Sequence, residues 1–266
     1  MKKLIFIAAA LILITVASVA AWQIYVPVHE DNVSIQAYDN LRQFVELPAP
    51  ELTPHPSTNK PIPPSISPTR SPNPDSTVTS VPQVDFESLQ AVNPEIVGWL
   101  AIDGTNINYP IAKHSDNDYY LHHLFNGEYN CSGCLFMDCR NPSDFSGQHT
   151  IIYGHHMDNG TMFQNLMYYK NQSFYNEHPT AQLITSNGSF TIEIFAGYVA
   201  DVDSDAWELD FTSDEDFEDW LASAMERSAF EGKVIPTIAD KIITLSTCSY
   251  EFYDARFVLL GRLTAE

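Results

Sequence analysis

The chain has 266 residues, of which 34 are acidic and 13 are lysine or arginine, for a formal charge of -21 at neutral pH. So acidic a balance argues against a nucleic-acid backbone or an anionic membrane surface as a partner held by charge. The length allows one sizeable core or two small ones, and the patterning puts the foldable part in the second two-thirds.

Residues 1–26, MKKLIFIAAALILITVASVAAWQIYV, open with Lys2 and Lys3 and then run apolar and uncharged from Leu4 past Trp22. That is about the 20 residues a helix needs to cross a bilayer. No other lysine or arginine precedes Arg42, so the N-terminus is expected in the cytoplasm and the rest outside. A cleaved signal peptide competes, because ASVAA offers small residues to a peptidase. The length of the run and the aromatics Trp22 and Tyr25 at its far end favour a retained, single-pass anchor. Residues 27–83 read as an extracytoplasmic spacer holding the following domain away from the membrane. Its first part includes NVSIQAYDNLRQFVE, a candidate short helix, and residues 47–83 are dense in Pro, Ser and Thr. Such a stretch lacks the apolar surface to offset its ordering entropy.

From residue 84 to 266 the pattern is that of a folded domain. VDFESLQAVNPEIVGWLAI places Phe86, Leu89 and Val92 at helical spacing, and Asn93-Pro94 is expected to start a second helical turn. Short strand-like runs follow: GWLAI, INYPIA, GCLFMD, HTIIYGH, AQLITS, FTIEIFAGYVA, KIITLSTC and RFVLLGRL, most of them divided by turn residues. Many strands and few helices predict a β-barrel or sandwich with helical decoration. One helix is clear between the sixth and seventh runs. In TSDEDFEDWLASAMERSAF, Ser213 can cap with Asp216, and Phe217, Trp220, Leu221, Ala224 and Met225 form an apolar stripe.

Chemistry is suggested at the ends of three runs. Cys248 closes KIITLSTC, where a nucleophile at a strand terminus can be reached. Arg256 opens RFVLLGRL eight residues later, so two antiparallel strands joined by a short loop would set it beside the cysteine as a donor for a developing oxyanion. HTIIYGHH brings His155 and His156 as candidate bases. Alternation in an extended segment lets only one of them face the thiol. Taken singly, each of these residues also has an ordinary reading as a buried thiol, a solvated rim arginine or a turn histidine.

As a set they resemble the sortases, membrane-anchored cysteine transpeptidases of Gram-positive bacteria. The likeness runs through VGWLAIDGTNINYPIA, DNDYYLHHLF, FMDCRN, IIYGHHMDNGTMFQNL and KIITLSTC, roughly residues 84 to 264, and the helical N-terminal extension and the helix before the cysteine strand are features of class B. The resemblance implies a mostly β fold: a closed eight-stranded barrel with N-terminal helices, the cysteine ending strand seven and the arginine on strand eight. It implies Cys248 as nucleophile, His155, the histidine after Tyr153-Gly154, as general acid and base, and Arg256 as stabiliser of the oxyanion. Asn117, Leu121, Trp207 and Ser246 are expected to line the peptide groove. The implied partners are secreted proteins with a C-terminal Pro-x-Thr-type sorting signal, cut after Thr through a thioester, and an amine acceptor from a peptidoglycan precursor or a pilin lysine. No cofactor or metal is implied.

Cys131, Cys134 and Cys139 depart from the family pattern. C-x2-C-x4-C without a fourth ligand is a poor zinc site, which leaves reduced thiols, a disulfide between two of the three, or a metal as open readings. Two other function classes compete: another cell-wall Cys-His peptidase or L,D-transpeptidase, and a non-catalytic anchored β-domain in which Cys248 is packing.

Overall fold

A computed structural model describes residues 2–46 and 83–265. The part of the expected spacer at residues 47–82 lies outside the described residues.

Eight strands close into one barrel. In chain order they are β1 (Ile96–Ala101), β2 (Asn108–Ala112), β3 (Leu135–Met137), β4 (His149–Tyr153), β5 (Thr180–Thr185), β6 (Gly188–Asp201), β7 (Lys241–Cys248) and β8 (Ala255–Ala265). Around the barrel the order is β8-β6-β5-β1-β2-β3-β4-β7, with β7 pairing back to β8. Each expected apolar run contributes one strand. Two pairings, β2 with β3 and β4 with β7, are parallel and the others antiparallel. The parallel β4–β7 pair matters for function, because it brings the ends of HTIIY and KIITLSTC to the same rim.

Helix α1 (Lys2–Leu41) is continuous, so at 1.5 Å per residue it extends about 60 Å. The described side chains from Leu11 to Gln23 are all exposed, and this is a helix long and apolar enough to cross a membrane. The far end of α1 lies on the barrel, in a stretch expected to be spacer. Tyr38, Leu41 and Val45 are buried in the main core, with the Tyr38 ring 5.1 Å from Tyr109 and 5.3 Å from Phe125. Asn130 Nδ2 donates to Glu30 O at 2.9 Å, the Ser34 and Ser132 hydroxyls lie 3.0 Å apart, and Tyr38 Oη donates to Gly133 O at 2.7 Å. Val45–Glu46 then pairs with Gln83–Val84 in a separate two-stranded sheet. The far end of α1 thus carries the chain from the apolar N-terminal run onto the barrel.

Helix α2 (Phe86–Val92) is capped by Asp85, whose side chain accepts from Ser88 N, and it buries Phe86 and Leu89. The expected second helical turn at Asn93-Pro94 does not form. Residues 94 and 95 form a single turn closed by Ile96 N on Asn93 O at 3.1 Å, and β1 begins at Ile96, so no helix is propagated. The Asn93 side-chain amide donates to Phe125 O at 2.6 Å and accepts from Glu95 N, which turns the chain directly into β1. Between β4 and β5 lies the short α3 (Gln172–Glu177). Helix α4 (Asp214–Glu226) forms as its cap predicts, with Asp216 N donating to Ser213 Oγ at 3.1 Å. Its stripe of Phe217, Trp220, Leu221 and Ala224 covers the outer faces of β6 and β8 in a second apolar cluster.

Candidate active site

β7 and β8 pair with Arg256 directly opposite Cys248. Ser249 N donates to Ala255 O at 2.9 Å just outside this pair, which makes Cys248 and Arg256 a non-hydrogen-bonded pair, the kind whose side chains stand closest. The loop between the strands is short because Ala255 N also returns to Phe252 O, and Asp254 takes a left-handed φ of 59° to close it. Lys170 and Ser249 both bind the Glu251 carboxylate in this loop. Partial burial alone would raise its pKa, but those two bonds bring it down to about 2, so Glu251 stays charged and the turn behind the cysteine stays tied down.

His155 arrives from β4. Gly154, just before it, has no room for a side chain: a Cβ there would lie 2.5 Å from Leu135 and 2.7 Å from Phe163. Gly154 N donates to Ser246 O at 3.1 Å, which holds the approach against β7. His155 Nε2 lies 2.8 Å from Leu121 O. A carbonyl only accepts, so Nε2 is assigned the proton, and Nδ1, which has no partner among the described residues, is the nitrogen left for proton transfer.

Cys248, His155 and Arg256 line one cleft of about 360 Å³. The four residues expected in the groove, Asn117, Leu121, Trp207 and Ser246, line it too. Each is also held from behind. Asn117 Oδ1 accepts from Cys139 N at 2.7 Å, Leu121 supplies the carbonyl for His155, and Ser246 is buried with its own carbonyl on Gly154. Trp207 ends a 3-10 turn, Asp205–Trp207, and its carbonyl accepts from Arg140 at 3.3 Å. Arg140 itself makes a two-pronged pair with the fully buried carboxylate of Asp138, at 2.9 and 2.8 Å, and Tyr153 Oη donates to the same carboxylate at 2.9 Å. Burial would raise the Asp138 pKa, but the Arg140 and Tyr153 bonds outweigh it and hold the group below the usual carboxylate range. His149, behind the same wall, is lowered to about 4 by burial and stays neutral, giving Nδ1–H to Glu208 O at 2.6 Å and accepting from Thr244 Oγ1 at 2.8 Å.

The Arg256 guanidinium makes one bond, from Nη1 to Ala255 O at 3.0 Å. Among the described residues its other donors have no partner, which leaves them for a ligand in the cleft. The cleft also uses residues that sequence reasoning missed, namely Phe136, Tyr153, Gly154, Val202 and Thr247. Phe136 and Tyr153 sit in apolar runs indistinguishable from core strands, and Tyr153 was marked only as the residue that leads to Gly154 and His155.

Of the adjacent histidines, His155 lines the cleft and His156 does not. The cause differs from the expected strand alternation, since β4 ends at Tyr153. Beyond it the backbone turns to meet Met162 and Phe163, with Phe163 N donating to His155 O at 2.9 Å and His156 bridging to Met162. His156 Nδ1 lies 3.0 Å from Cys248 O, and its ring meets that of Tyr250 edge-on at 5.0 Å. The four cysteines are all free thiols: Cys131 exposed, Cys134 buried, Cys139 and Cys248 between.

A family model for the sortase domain matches residues 100–264. Sortase B of Listeria monocytogenes is 39% identical over 184 residues, covering 68% of this chain and 75% of that protein. A Staphylococcus aureus sortase B-substrate complex superposes with a TM-score of 0.65 at 34% identity, over 68% of this chain and 84% of its own. A sortase B complexed with triglycine gives the same TM-score and identity, over 68% and 85% of the two chains.

Proposed function

The chain belongs to the sortase family of cysteine transpeptidases, and to its class B, and from that premise we propose that it cuts a C-terminal sorting signal after a threonine and passes the acyl fragment to an amine. The observation that carries the reading is the closest-approach pairing of Cys248 with Arg256 at the rim where His155 enters the same cleft.

In the first half-reaction the Cys248 thiolate adds to the threonine carbonyl carbon. The negative charge that develops on the carbonyl oxygen meets the unpaired guanidinium donors of Arg256, where a charge-assisted hydrogen bond gains most. The proton given up by the Cys248 thiol sits on His155 Nδ1; as the C–N bond breaks, the leaving amine takes that proton, and a thioester remains on Cys248. In the second half the acceptor amine gives a proton to Nδ1 and attacks the thioester, and Cys248 leaves as thiolate. The bond from Nε2 to Leu121 O keeps the imidazole oriented in both directions. Asn117, Leu121, Trp207 and Ser246 form the groove for a Pro-x-Thr-type signal. The relative solved with a substrate and the one solved with triglycine support a peptide signal and an amine acceptor. Residues 1–26 act as a single-pass anchor with a cytoplasmic N-terminus and the barrel outside.

The test is to incubate the full chain in detergent with a library of Pro-x-Thr peptides and triglycine, and to follow products by mass spectrometry. Cleavage after threonine, a thioester on Cys248 and a triglycine adduct are expected. If no peptide is cut and no thioester forms, the transpeptidase reading fails.

A further inference from the structure

We infer that His156 is a positioning residue for the nucleophile: its imidazole stands in for a backbone N–H as the last rung of the β4–β7 ladder and fixes the peptide that follows Cys248. This rests on the reading of Cys248 as nucleophile.

In a parallel ladder the hydrogen bonds are evenly spaced, and one strand's N–H groups reach the other's carbonyls at every second residue. Gly154 N takes Ser246 O at 3.1 Å, so the next rung would run from the N–H of residue 156 to the carbonyl of Cys248. The backbone does not make that rung: beyond β4 the chain turns toward Met162 and Phe163, with Phe163 N on His155 O at 2.9 Å, and His156 N makes no bond to Cys248 O. Met162 takes a left-handed φ of 53° at this turn. The side chain makes the rung instead, with His156 Nδ1 3.0 Å from Cys248 O. The carbonyl can only accept, so Nδ1 carries the proton.

The other half of the same peptide is also held. Cys248 faces Arg256 across a non-hydrogen-bonded position, so its carbonyl points away from β8 and toward β4, while Ser249 N turns back to Ala255 O at 2.9 Å. The planar Cys248–Ser249 peptide is thus gripped at its C=O by His156 and at its N–H by β8. That grip sets ψ of Cys248, and with it the direction from which the thiol meets His155 and Arg256. Tyr250, in the loop beyond, packs edge-on against the imidazole and walls it in. Without the His156 donor the strand end is held from one side only.

The test compares His156→Ala, His156→Asn and His156→Gln in the full chain. Asparagine places an amide N–H the same number of bonds from Cα as Nδ1, whereas glutamine places it one bond farther. Misplacing a reacting group by about 1 Å can cost about 100-fold, so kcat for peptide transfer to triglycine is expected to fall about 10- to 100-fold in the Ala and Gln variants, with KM within about twofold, and to return to within about threefold of the unsubstituted protein in the Asn variant. Alkylation of Cys248 by iodoacetamide without peptide, followed by peptide mass spectrometry, is expected to show the same order. A kcat for His156→Ala within twofold of the starting protein, or an Asn variant as slow as the Ala variant, overturns the inference. If the unsubstituted chain transfers no peptide at all, the transpeptidase reading fails alone, and the alkylation order still decides the role of His156.

Discussion

Two regions of the barrel present cysteines, and their surroundings differ more than their exposure does. Cys248 ends a strand, faces Arg256 across the sheet and opens on a cleft shared with His155. Cys131 and Cys134 lie in the loop before β3, against α1. There, burial followed by the carboxylates of Glu30 and Asp31 pushes the Cys131 thiol up to about 11, and burial pushes Cys134 to about 12. One region offers a thiol a cation and a base, the other offers acids and apolar packing. A cysteine's use therefore follows from what the fold sets opposite it.

The largest effect falls on Cys248, the proposed nucleophile. Cys248→Ala is expected to reduce transfer by about 10⁴-fold or more, because the proposed route passes through a thioester that alanine cannot form. Cys131→Ala, on the other side, is expected to leave kcat within about twofold, since no step of the reaction uses that thiol. Measured as initial rates of triglycine transfer, a loss in Cys131→Ala approaching that of Cys248→Ala would erase the distinction.

A second effect is chemical selectivity. A thiol with a pKa of about 11 is thiolate in about one molecule in a thousand at pH 8, and the thiolate is the species that reacts. Iodoacetamide at pH 8 is expected to modify Cys248 about tenfold or more faster than Cys131, although Cys131 is the more exposed. The Cys131 rate should climb about tenfold per pH unit from 7 toward 10 as its thiolate fraction rises. Cys134 should stay unmodified while the protein is folded. Equal labelling of Cys131 and Cys248 at pH 8 would mean that the acidic neighbours do not govern the loop thiol.

The same contrast explains what could be read before any coordinates. The eight strands were legible because apolar runs such as KIITLSTC and RFVLLGRL are bounded by turn residues, and the Cys248–Arg256 pairing followed from their adjacency. The inserted helix was legible because Ser213 and an i, i+3, i+4 stripe fix both its start and its buried face. The docking of Glu30 to Val45 was not, because its partners are loop groups such as Asn130, Ser132 and the Gly133 carbonyl, which carry no periodicity. The wall behind Trp207 was hidden for the same reason. Asp138, Arg140 and Tyr153 are brought together by the antiparallel pairing of β3 with β4, and spacing along the chain does not encode it. The turn at His156 was misread as a strand end, since the bridge to Met162 depends on a left-handed residue that is not glycine.

The smallest effect lies where the two regions touch. Tyr38 Oη binds Gly133 O, and Gly133 has a left-handed φ of 59° and lies so close to the site that a Cβ there would come within 3.1 Å of His155 Cδ2. Tyr38→Phe keeps the ring packing on Tyr109 and Phe125 but leaves that buried carbonyl without its donor, at a cost of about 1–3 kcal/mol. A lower denaturant midpoint with an unchanged m-value would register that loss as stability alone. Activity below the transition should fall only about two- to threefold, because Leu121 still holds His155 Nε2 from the cleft side and the Cys248 peptide is gripped independently of α1. If Tyr38→Phe instead lowered kcat as far as His156→Ala does, at equal KM, α1 would have to be counted among the elements that aim His155, and the line between a reactive and a structural side of the barrel would move to include the helix.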